Sequence, residues 1–377
     1  MMRRDFLKAG VAALTASEQM ARAEQPAKRE MKVLLWNWDA RMTWDDEPDR
    51  IAAKMAAAEK IFPYLKQPDA YLVGTRRLVD YCERVGIYGF CLWGFLRDSH
   101  GGIKAAQDLC KYAADHGVAA LPGVGLCSYG GYYYEGDHPF NLQTYLRKHP
   151  DRISAAHEEG GDRQVAPVLD PSLPENQNWW RDGLEWMFET FQISGINYEM
   201  GDFIVNPSDR AVKARAALKI ECDENIQEIV VATRDLFEYG FSLQPGTILI
   251  NSTYRGLENI THFPKMPYID LLPSQTVWEY NLRGTVRKPD FAELYQGMPE
   301  HRAYGYLHWF NSSTNTMDKD YVAEIARVFP GAHNLDFEFV GTYGEVSAVN
   351  NPLADRNYRA QVAWARNPDL QRAEFDS

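Results

Sequence analysis

The chain lacks an excess of positive charge. Its 40 lysines and arginines are outnumbered by 52 aspartates and glutamates, which gives a formal net charge of −12. Proteins that bind nucleic acid concentrate positive charge against the phosphate backbone. We therefore expect no nucleic-acid partner.

Long apolar runs and paired cysteines are also missing. No stretch approaches the roughly 18 consecutive apolar residues that a membrane-spanning helix needs, so we expect no membrane insertion of the mature chain. The five cysteines contain no C-x-x-C pair, which excludes zinc-ribbon and thioredoxin-type sites. They are best interpreted as small buried hydrophobic residues.

Motifs for nucleotides and metals are absent as well. Neither G-x-G-x-x-G nor G-x-x-x-x-G-K-[ST] follows the first predicted strand, and the nine histidines form no H-E-x-x-H or H-x-H pattern. We therefore predict neither a cofactor nor a resident metal ion. A spatial cluster of scattered histidines and carboxylates remains an alternative.

The N-terminus carries a basic and then apolar pattern. Residues 3–8 read RRDFLK, a short apolar stretch covers residues 11–16, and small residues at an A-x-A spacing follow at 21–23. This pattern resembles a twin-arginine export signal. The resemblance implies that residues 1–23 are removed and that the protein is periplasmic or secreted, with residues 1–30 serving as signal and linker.

The rest of the chain alternates short apolar runs with helical stretches. Buried, continuous strands that alternate with helices are typical of parallel α/β folds. The length of 377 residues accommodates a barrel with additions. We predict a (β/α)8 TIM barrel over 31–330, complete or slightly irregular, and a C-terminal helical extension over 331–377. A doubly wound sheet is the alternative.

Seven apolar runs are predicted to be strands, and a further run is a possible eighth. The strands are 31–38, 87–95, 118–126, 196–203, 247–252, 276–282 and 303–310, with 268–272 as the possible addition. Helical spacing is found at 74–85, 103–116, 177–193, 212–239, 317–328 and 357–364.

Aromatic and hydrogen-bonding residues recur where these strands end. Active sites of barrels lie at the carboxyl ends of the strands. Aromatic rings cover the flat faces of sugars, and polar side chains bind their hydroxyls, so the pattern predicts a carbohydrate site. The candidate substrate-binding residues are Trp36, Trp38, Trp93, Arg97, Asp98, His100, Tyr129, Asn251, Arg255, Asn281, His308, Trp309 and Asn311.

Two glutamates are the main catalytic candidates. Glu199 and Glu279 each end a predicted strand, and Asp202 follows the first of them closely. A buried carboxylate is costly, so a functional role is favoured, with Glu199 as general acid/base and Glu279 as nucleophile or second carboxylate. A salt bridge is the structural alternative for Glu199, and Asp98 or Asp202 are alternative partners for it.

Two arginines suggest one kind of substrate. Guanidinium groups bind carboxylate or sulfate with two parallel hydrogen bonds, so Arg97 and Arg255 would suit an acidic sugar. Structural ion pairing is the alternative for both. His308 is expected to bind a sugar hydroxyl or carboxylate.

With these residues the chain resembles the barrel glycoside hydrolases of bacterial polysaccharide degraders, over residues 32–311. In the large retaining clan of such enzymes the acid/base ends the fourth strand and the nucleophile ends the seventh. Glu199 matches the first position, and Glu279 matches the second only if 268–272 counts as a strand. The Asn that precedes the acid/base in that clan is replaced by Tyr198, with Asn197 one position earlier. The segments 140–150 and 357–370 resemble the substrate-entrance loop and the post-barrel helix of such enzymes.

The predicted function is therefore hydrolysis of an oligosaccharide or polysaccharide by a pair of carboxylates. A non-catalytic carbohydrate-binding barrel is one alternative, and a metal-dependent sugar isomerase, aldolase or lyase is another.

Overall fold

The structure, a computed structural model, describes residues 30–39, 42–45, 68–155, 168–200, 205–252, 268–282, 302–307, 317, 319–349 and 351–377. The predicted export signal lies outside these residues. Residues Met31–Ser377 form one compact unit. In the described part of the chain, no helix is long and apolar enough to cross a membrane.

Eight parallel strands close into a barrel in the order of the sequence, which confirms the predicted fold class. Closure pairs the first strand with both the second and the last, since Trp36 lies opposite Cys91 on one side and Tyr343 on the other. The strands are β1 (Lys32–Trp38), β2 (Gly89–Trp93), β3 (Ala119–Gly125), β4 (Gly195–Glu199), β5 (Ile248–Ser252), β6 (Val277–Asn281), β7 (Arg302–Leu307) and β8 (Phe339–Tyr343).

The described helices surround the barrel. Several begin with the signals expected of helix N-termini: Pro174 stands in a first turn, and the Asn351 side chain accepts hydrogen bonds from two backbone N–H groups. The helices are α1 (Pro68–Val85), α2 (Gly102–Asp115), α3 (Leu142–Lys148), α4 (Pro174–Thr190), α5 (Asp209–Ala217), α6 (Glu224–Leu243), α7 (Val322–Asn334), α8 (Pro352–Arg366) and α9 (Arg372–Asp376).

The eighth strand lies later in the chain than the sequence pattern suggested. The run at 268–272 contains a short 3-10 helix, Ile269–Leu271, instead of a strand. The eighth strand is β8, and α8 follows it and packs against α7 and β1. Residues 331–377 thus contain the last β/α unit of the barrel, where we expected only an appendage. The predicted boundary at residue 330 falls inside α7.

The long helix predicted over 212–239 is two helices, α5 and α6. Asp223 caps the second one through its side chain, and Ser208 caps the first in the same way. Each helix therefore has its own N-cap residue, and apolar spacing alone does not reveal these two separate starts.

Side chains of the strands alternate between two cores. One core fills the barrel interior and contains Leu34, Trp36, Cys91, Trp93 and Tyr304 among others. The other, larger core lies between the strands and the helices. Because successive residues of a strand point to opposite faces, this alternation decides which residues can line a site inside the barrel.

Glycines make room for the large rings inside the barrel. A Cβ atom at Gly123 of β3 would lie 2.6 Å from the Trp93 ring, and one at Gly341 of β8 would lie 1.7 Å from a backbone oxygen of β1. Gly123 therefore leaves room for the Trp93 ring, and Gly341 allows β8 to lie close to β1.

Candidate active site

The inner face of the barrel has an aromatic half, formed by β7, β8, β1 and β2. Trp36 lies at its centre, with ring centroids 6.1 Å from Trp93, 6.5 Å from Tyr306 and 4.8 Å from Tyr343. Tyr306 and Tyr343 are themselves 5.3 Å apart and perpendicular. Trp38 packs against the same cluster from the end of β1. The predicted residues Trp36, Trp38 and Trp93 are thus brought together in one wall.

Two hydrogen-bond donors of this wall are available. Trp36 is 5% exposed and Trp93 is 3% exposed. Within the described residues neither indole N–H meets an acceptor. A buried donor without a partner is costly, which makes these two N–H groups candidate contacts for a bound molecule.

Tyr129 adds a ring at the mouth of the barrel. Its φ of 57° is in the left-handed region, which a non-glycine residue seldom adopts. The strained backbone turns the half-buried ring edge-on to Trp93, with centroids 5.9 Å apart. Strain of this kind collects at binding sites, so Tyr129 stays a candidate substrate-binding residue.

The opposite half of the inner face is polar and is formed by β4, β5 and β6. Asn197 and Glu199 lie on the inward side of β4, and Glu279 lies on the inward side of β6. Ser252 of β5 stands between them: its Oγ is 3.1 Å from Asn197 Oδ1 and hydrogen-bonds Glu279 Oε2. All four side chains are buried.

Glu279 has a perturbed acidity. Burial raises its pKa from 4.5 to about 7, and the hydrogen bond from Ser252 partly offsets this by lowering the pKa. Cys91 and Tyr304 are near enough for the charge of Glu279 to raise their own pKa values. A carboxyl group with a pKa near neutrality can hold a proton at working pH and release it to a substrate.

The two glutamates face the same space. Glu199 is the register partner of Ser252, and Glu279 lies on the next strand. Neighbouring strands are about 4.8 Å apart, so two steps separate β4 from β6 by about 10 Å at the backbone. Both side chains lie on the inward faces of their strands, with Ser252 of β5 between them.

The strand count changes how Glu279 compares with the retaining clan. Because no strand forms at 268–272, Glu279 lies on the sixth strand. It therefore does not occupy the seventh-strand position that the resemblance implied for a nucleophile. Glu199 does end the fourth strand, as predicted.

Arg97 and His100 belong to a buried ionic cluster around Asp39. Arg97 is 2% exposed and pairs with Asp39 at 2.7 Å and Glu135 at 3.1 Å, while its guanidinium covers the Tyr134 ring. His100 is 1% exposed and lies 3.3 Å from Asp39. The guanidinium of Arg97 thus already has two carboxylate partners within the protein. These pairs support the structural alternative for Arg97, and the role of His100 as a sugar ligand stays a prediction.

Two further predicted residues occupy other places. Asn251 points away from the barrel interior, since its Nδ2 donates to Thr233 Oγ1 of α6 at 3.3 Å. Its prediction as a substrate ligand is corrected by the alternation of β5, which turns Ser252 inward instead. Asp98 is exposed and accepts a hydrogen bond of 2.5 Å from the Tyr133 hydroxyl. Asn281 ends β6 on the inward side and is exposed.

Five predicted residues lie outside the described part of the chain: Asp202, Arg255, His308, Trp309 and Asn311. Among the described residues, no group of three or more His, Cys, Asp or Glu side chains is arranged to hold a metal ion.

Sequence reasoning missed several residues of the inner face. Tyr304, Tyr306, Tyr343 and Ser252 all point into the barrel, yet none was a candidate. The signal that finds them is alternation. Residues two or four positions apart in a strand point to the same face. Each of these residues has this spacing from an apolar residue that faces the barrel interior, as Ser252 has from Ile248.

Comparisons with known proteins identify the fold. No family model matches the chain, and no curated protein matches it. Among solved structures, an exo-β-N-acetylglucosaminidase from Vibrio harveyi aligns with a TM-score of 0.54 at 11% identity, over 93% of this chain and 56% of that one. An α-galactosidase from Geobacillus stearothermophilus aligns with a TM-score of 0.52 at 12% identity, over 90% and 42%.

A third structure is close to this chain in size. The PgaB glycoside hydrolase domain from Bordetella bronchiseptica aligns with a TM-score of 0.52 at 10% identity, over 90% of this chain and 99% of that domain. The chain spans about half the length of the other two. Identities this low show the fold alone: this is a barrel of the kind that glycoside hydrolases use.

Proposed function

We propose that the protein is a glycoside hydrolase in which Glu199 and Glu279 are the catalytic carboxyl groups. One observation carries the proposal: two buried glutamates from β4 and β6 lie on the inward face of the barrel at the carboxyl ends of their strands, opposite a wall of aromatic rings. Sugar-cleaving barrels place carboxyl pairs at this end of the strands, where both can reach a glycosidic bond.

The roles of the two glutamates follow from their surroundings. Glu279 is the proton donor, because burial raises its pKa to about 7 and so keeps it protonated at mildly acidic pH. Glu199 then acts as a carboxylate on the other side of the bond, as nucleophile or as base for a water molecule. This assignment reverses the roles that the strand order alone suggested.

The substrate is proposed to be a neutral or amino sugar. The predicted preference for an acidic sugar depended partly on Arg97, whose charge is balanced by Asp39 and Glu135. The aromatic half offers flat faces to a pyranose ring and the N–H groups of Trp36 and Trp93 to its oxygens.

The first experiment is an activity screen with aryl glycosides. N-acetylglucosaminides and galactosides come first, because solved structures of similar fold cleave those sugars. On a substrate that is turned over, we expect E199Q and E279Q each to lower kcat by about 100-fold or more. Sugar affinity, measured by calorimetry, should stay within a few-fold of wild type.

A matched control is E228Q. Glu228 is also a buried glutamate with a pKa raised to about 7, but it lies on α6 and pairs with Arg215. Its substitution should lower stability and leave kcat of the folded protein unchanged. Sugar binding without turnover by any substrate would favour the non-catalytic barrel, and loss of activity on chelation would favour the metal-dependent alternative.

We also propose that residues 1–23 direct export by the twin-arginine route, on the strength of the RRDFLK pattern. Replacement of both Arg3 and Arg4 by lysine should retain the full-length chain in the cytoplasm. Export that continues unchanged would contradict this.

A further inference from the structure

A groove on the outside of the barrel lies between three helices. Its walls come from the segment that leads into α4, from α4 itself, from the end of α5 and from the middle of α6, and it encloses about 430 Å³. Clefts of roughly 300–1,000 Å³ accommodate small-molecule ligands. None of the described residues that line the groove comes from a barrel strand, so it is separate from the site that contains Glu199 and Glu279.

The lining of the groove is aliphatic in part. Its apolar residues are Pro171, Pro174, Ala214, Ala217, Leu218 and Val231. No aromatic ring is among the described lining residues, so the groove lacks the flat face on which a pyranose stacks. Because the removal of aliphatic surface from water favours binding, this lining suits a hydrocarbon chain better than a sugar.

The charged residues of the groove are not balanced. Two arginines, Arg181 and Arg234, accompany one carboxylate, Asp235. Arg234 Nε donates to Asp235 Oδ1 at 3.0 Å, whereas Arg181 Nη2 is 3.9 Å from Asp235 Oδ2, beyond hydrogen-bond distance. Among the described lining residues one positive charge therefore lacks a close counter-charge, and it belongs to Arg181.

The guanidinium of Arg181 is available to an anion. Within the described part of the chain it donates no hydrogen bond, and its Nε is buried without an acceptor. The group lies over the Tyr239 ring, 5.8 Å from the centroid, while the side chain as a whole is 38% exposed. A guanidinium presents paired N–H groups that match the two oxygens of a carboxylate.

The walls of the groove are held by contacts within the protein. Gln177 of α4 donates from Nε2 to the backbone oxygen of Pro171 at 2.8 Å and to that of Val231 at 3.0 Å. This side chain thereby ties the segment before α4 to the middle of α6. A groove that is formed in advance avoids part of the ordering cost of binding.

We propose that this groove binds a small aliphatic carboxylate, whose carboxylate pairs with Arg181 and whose hydrocarbon chain lies along the apolar lining. The walls select for both parts of this ligand. An inorganic anion such as sulfate would leave the apolar lining in water, and an alcohol would leave the charge of Arg181 without a partner. The inference goes beyond the proposed function, because it concerns another face of the barrel.

The test compares four probes by isothermal titration calorimetry on the full chain. Hexanoate should bind with a Kd of about 1 mM or tighter, and 1-hexanol and sulfate should each bind at least about 10-fold more weakly. From butyrate to hexanoate, each added CH₂ should lower Kd by about threefold. Sulfate or 1-hexanol binding as tightly as hexanoate, or no binding of hexanoate at about 20 mM, would overturn the proposal.

Two substitutions locate the bound carboxylate. R181Q should weaken hexanoate binding by about 10-fold and leave 1-hexanol unaffected, whereas R181K, which keeps the charge without the paired N–H groups, should retain part of the affinity. A217L provides an independent reading. It adds a larger side chain to an exposed lining position at the end of α5, where leucine is compatible with a helix, and should also weaken hexanoate binding.

A matched control is R327Q. Arg327 of α7 is a half-exposed arginine that pairs with Glu324 and does not line the groove, so its loss changes the net charge equally. Hexanoate affinity should be unchanged in R327Q. An affinity that is unchanged in R181Q or in A217L, or that falls as much in R327Q as in R181Q, would overturn the proposal. None of these measurements uses sugar turnover, so their outcome is independent of the proposed glycosidase activity.

Discussion

Glu279 should make the folded protein less stable as the pH rises. Burial raises its pKa from 4.5 to about 7 in the folded state. Below the lower value both folded and unfolded chains carry the proton, so burial has no ionic cost. Between the two values the unfolded chain ionises first and unfolding becomes easier. At 1.36 kcal/mol per pKa unit, this loss reaches about 3 kcal/mol by pH 8.

The variant E279Q isolates this term. Glutamine has nearly the same shape and does not titrate, so E279Q should lack this part of the pH dependence. The free energy of unfolding is measured by urea denaturation at pH 4.5 and pH 8 for both proteins. Relative to wild type, E279Q should gain about 3 kcal/mol between the lower and the higher pH. Any constant effect of the substitution cancels in this double difference.

A matched variant tests the same reasoning elsewhere in the fold. Glu228 is buried with a pKa raised to about 7, but Arg215 pairs with it at 2.9 Å. E228Q should show a similar gain with pH, because the raised pKa of Glu228 already includes the stabilisation that Arg215 gives its carboxylate. If the stability curves of wild type and E279Q run parallel from pH 4.5 to 8, Glu279 is ionised in the folded protein and the reasoning is refuted.

Three further predictions concern the framework of the site. W93A should raise KM for an oligosaccharide about 10-fold, whereas W278A, which removes an equally buried indole from the outer face of β6, should lower stability and leave KM unchanged in steady-state kinetics. R97K should lose the paired contact with Asp39 and reduce the free energy of unfolding by about 3 kcal/mol in urea. G341A should prevent tight closure of β8 on β1 and lower stability by more than about 3 kcal/mol, because the added methyl would meet a backbone oxygen at 1.7 Å; an unchanged urea midpoint would contradict this.

The barrel itself could be predicted from the sequence because parallel strands are buried on both faces. Runs such as 247–252 therefore stand out as continuous apolar segments. The eighth strand could not be found in this way. Phe339–Tyr343 is five residues long, contains a glycine, and follows α7 after a short connection. Its assignment needs the closed barrel, which requires a partner for β1 on the side away from β2.

The candidate site was predicted in part, and its errors have one physical cause. Polar residues at strand ends were collected without regard to the face on which they lie. Asn251 and Ser252 are adjacent, yet the first contacts Thr233 of α6 and the second contacts Glu279. Since neighbours in a strand point to opposite faces, only one of the two can line the cavity. Arg97 was misjudged for another reason: its partner Asp39 is 58 residues away in the sequence, and such pairing is visible only in the fold.

The division of the inner face into two halves connects the sequence to the proposed chemistry. Large rings on β7, β8, β1 and β2 occupy one half, and β3 contributes glycines, of which Gly123 lies against the Trp93 ring. The polar groups are thereby confined to β4, β5 and β6. A sugar ring stacked on the aromatic half would present its glycosidic bond to the carboxyl groups across the cavity. Burial raises the pKa of Glu279, and Tyr304 of the aromatic half lies near enough to interact with its charge, so the proposed proton donation depends on the packing of that half.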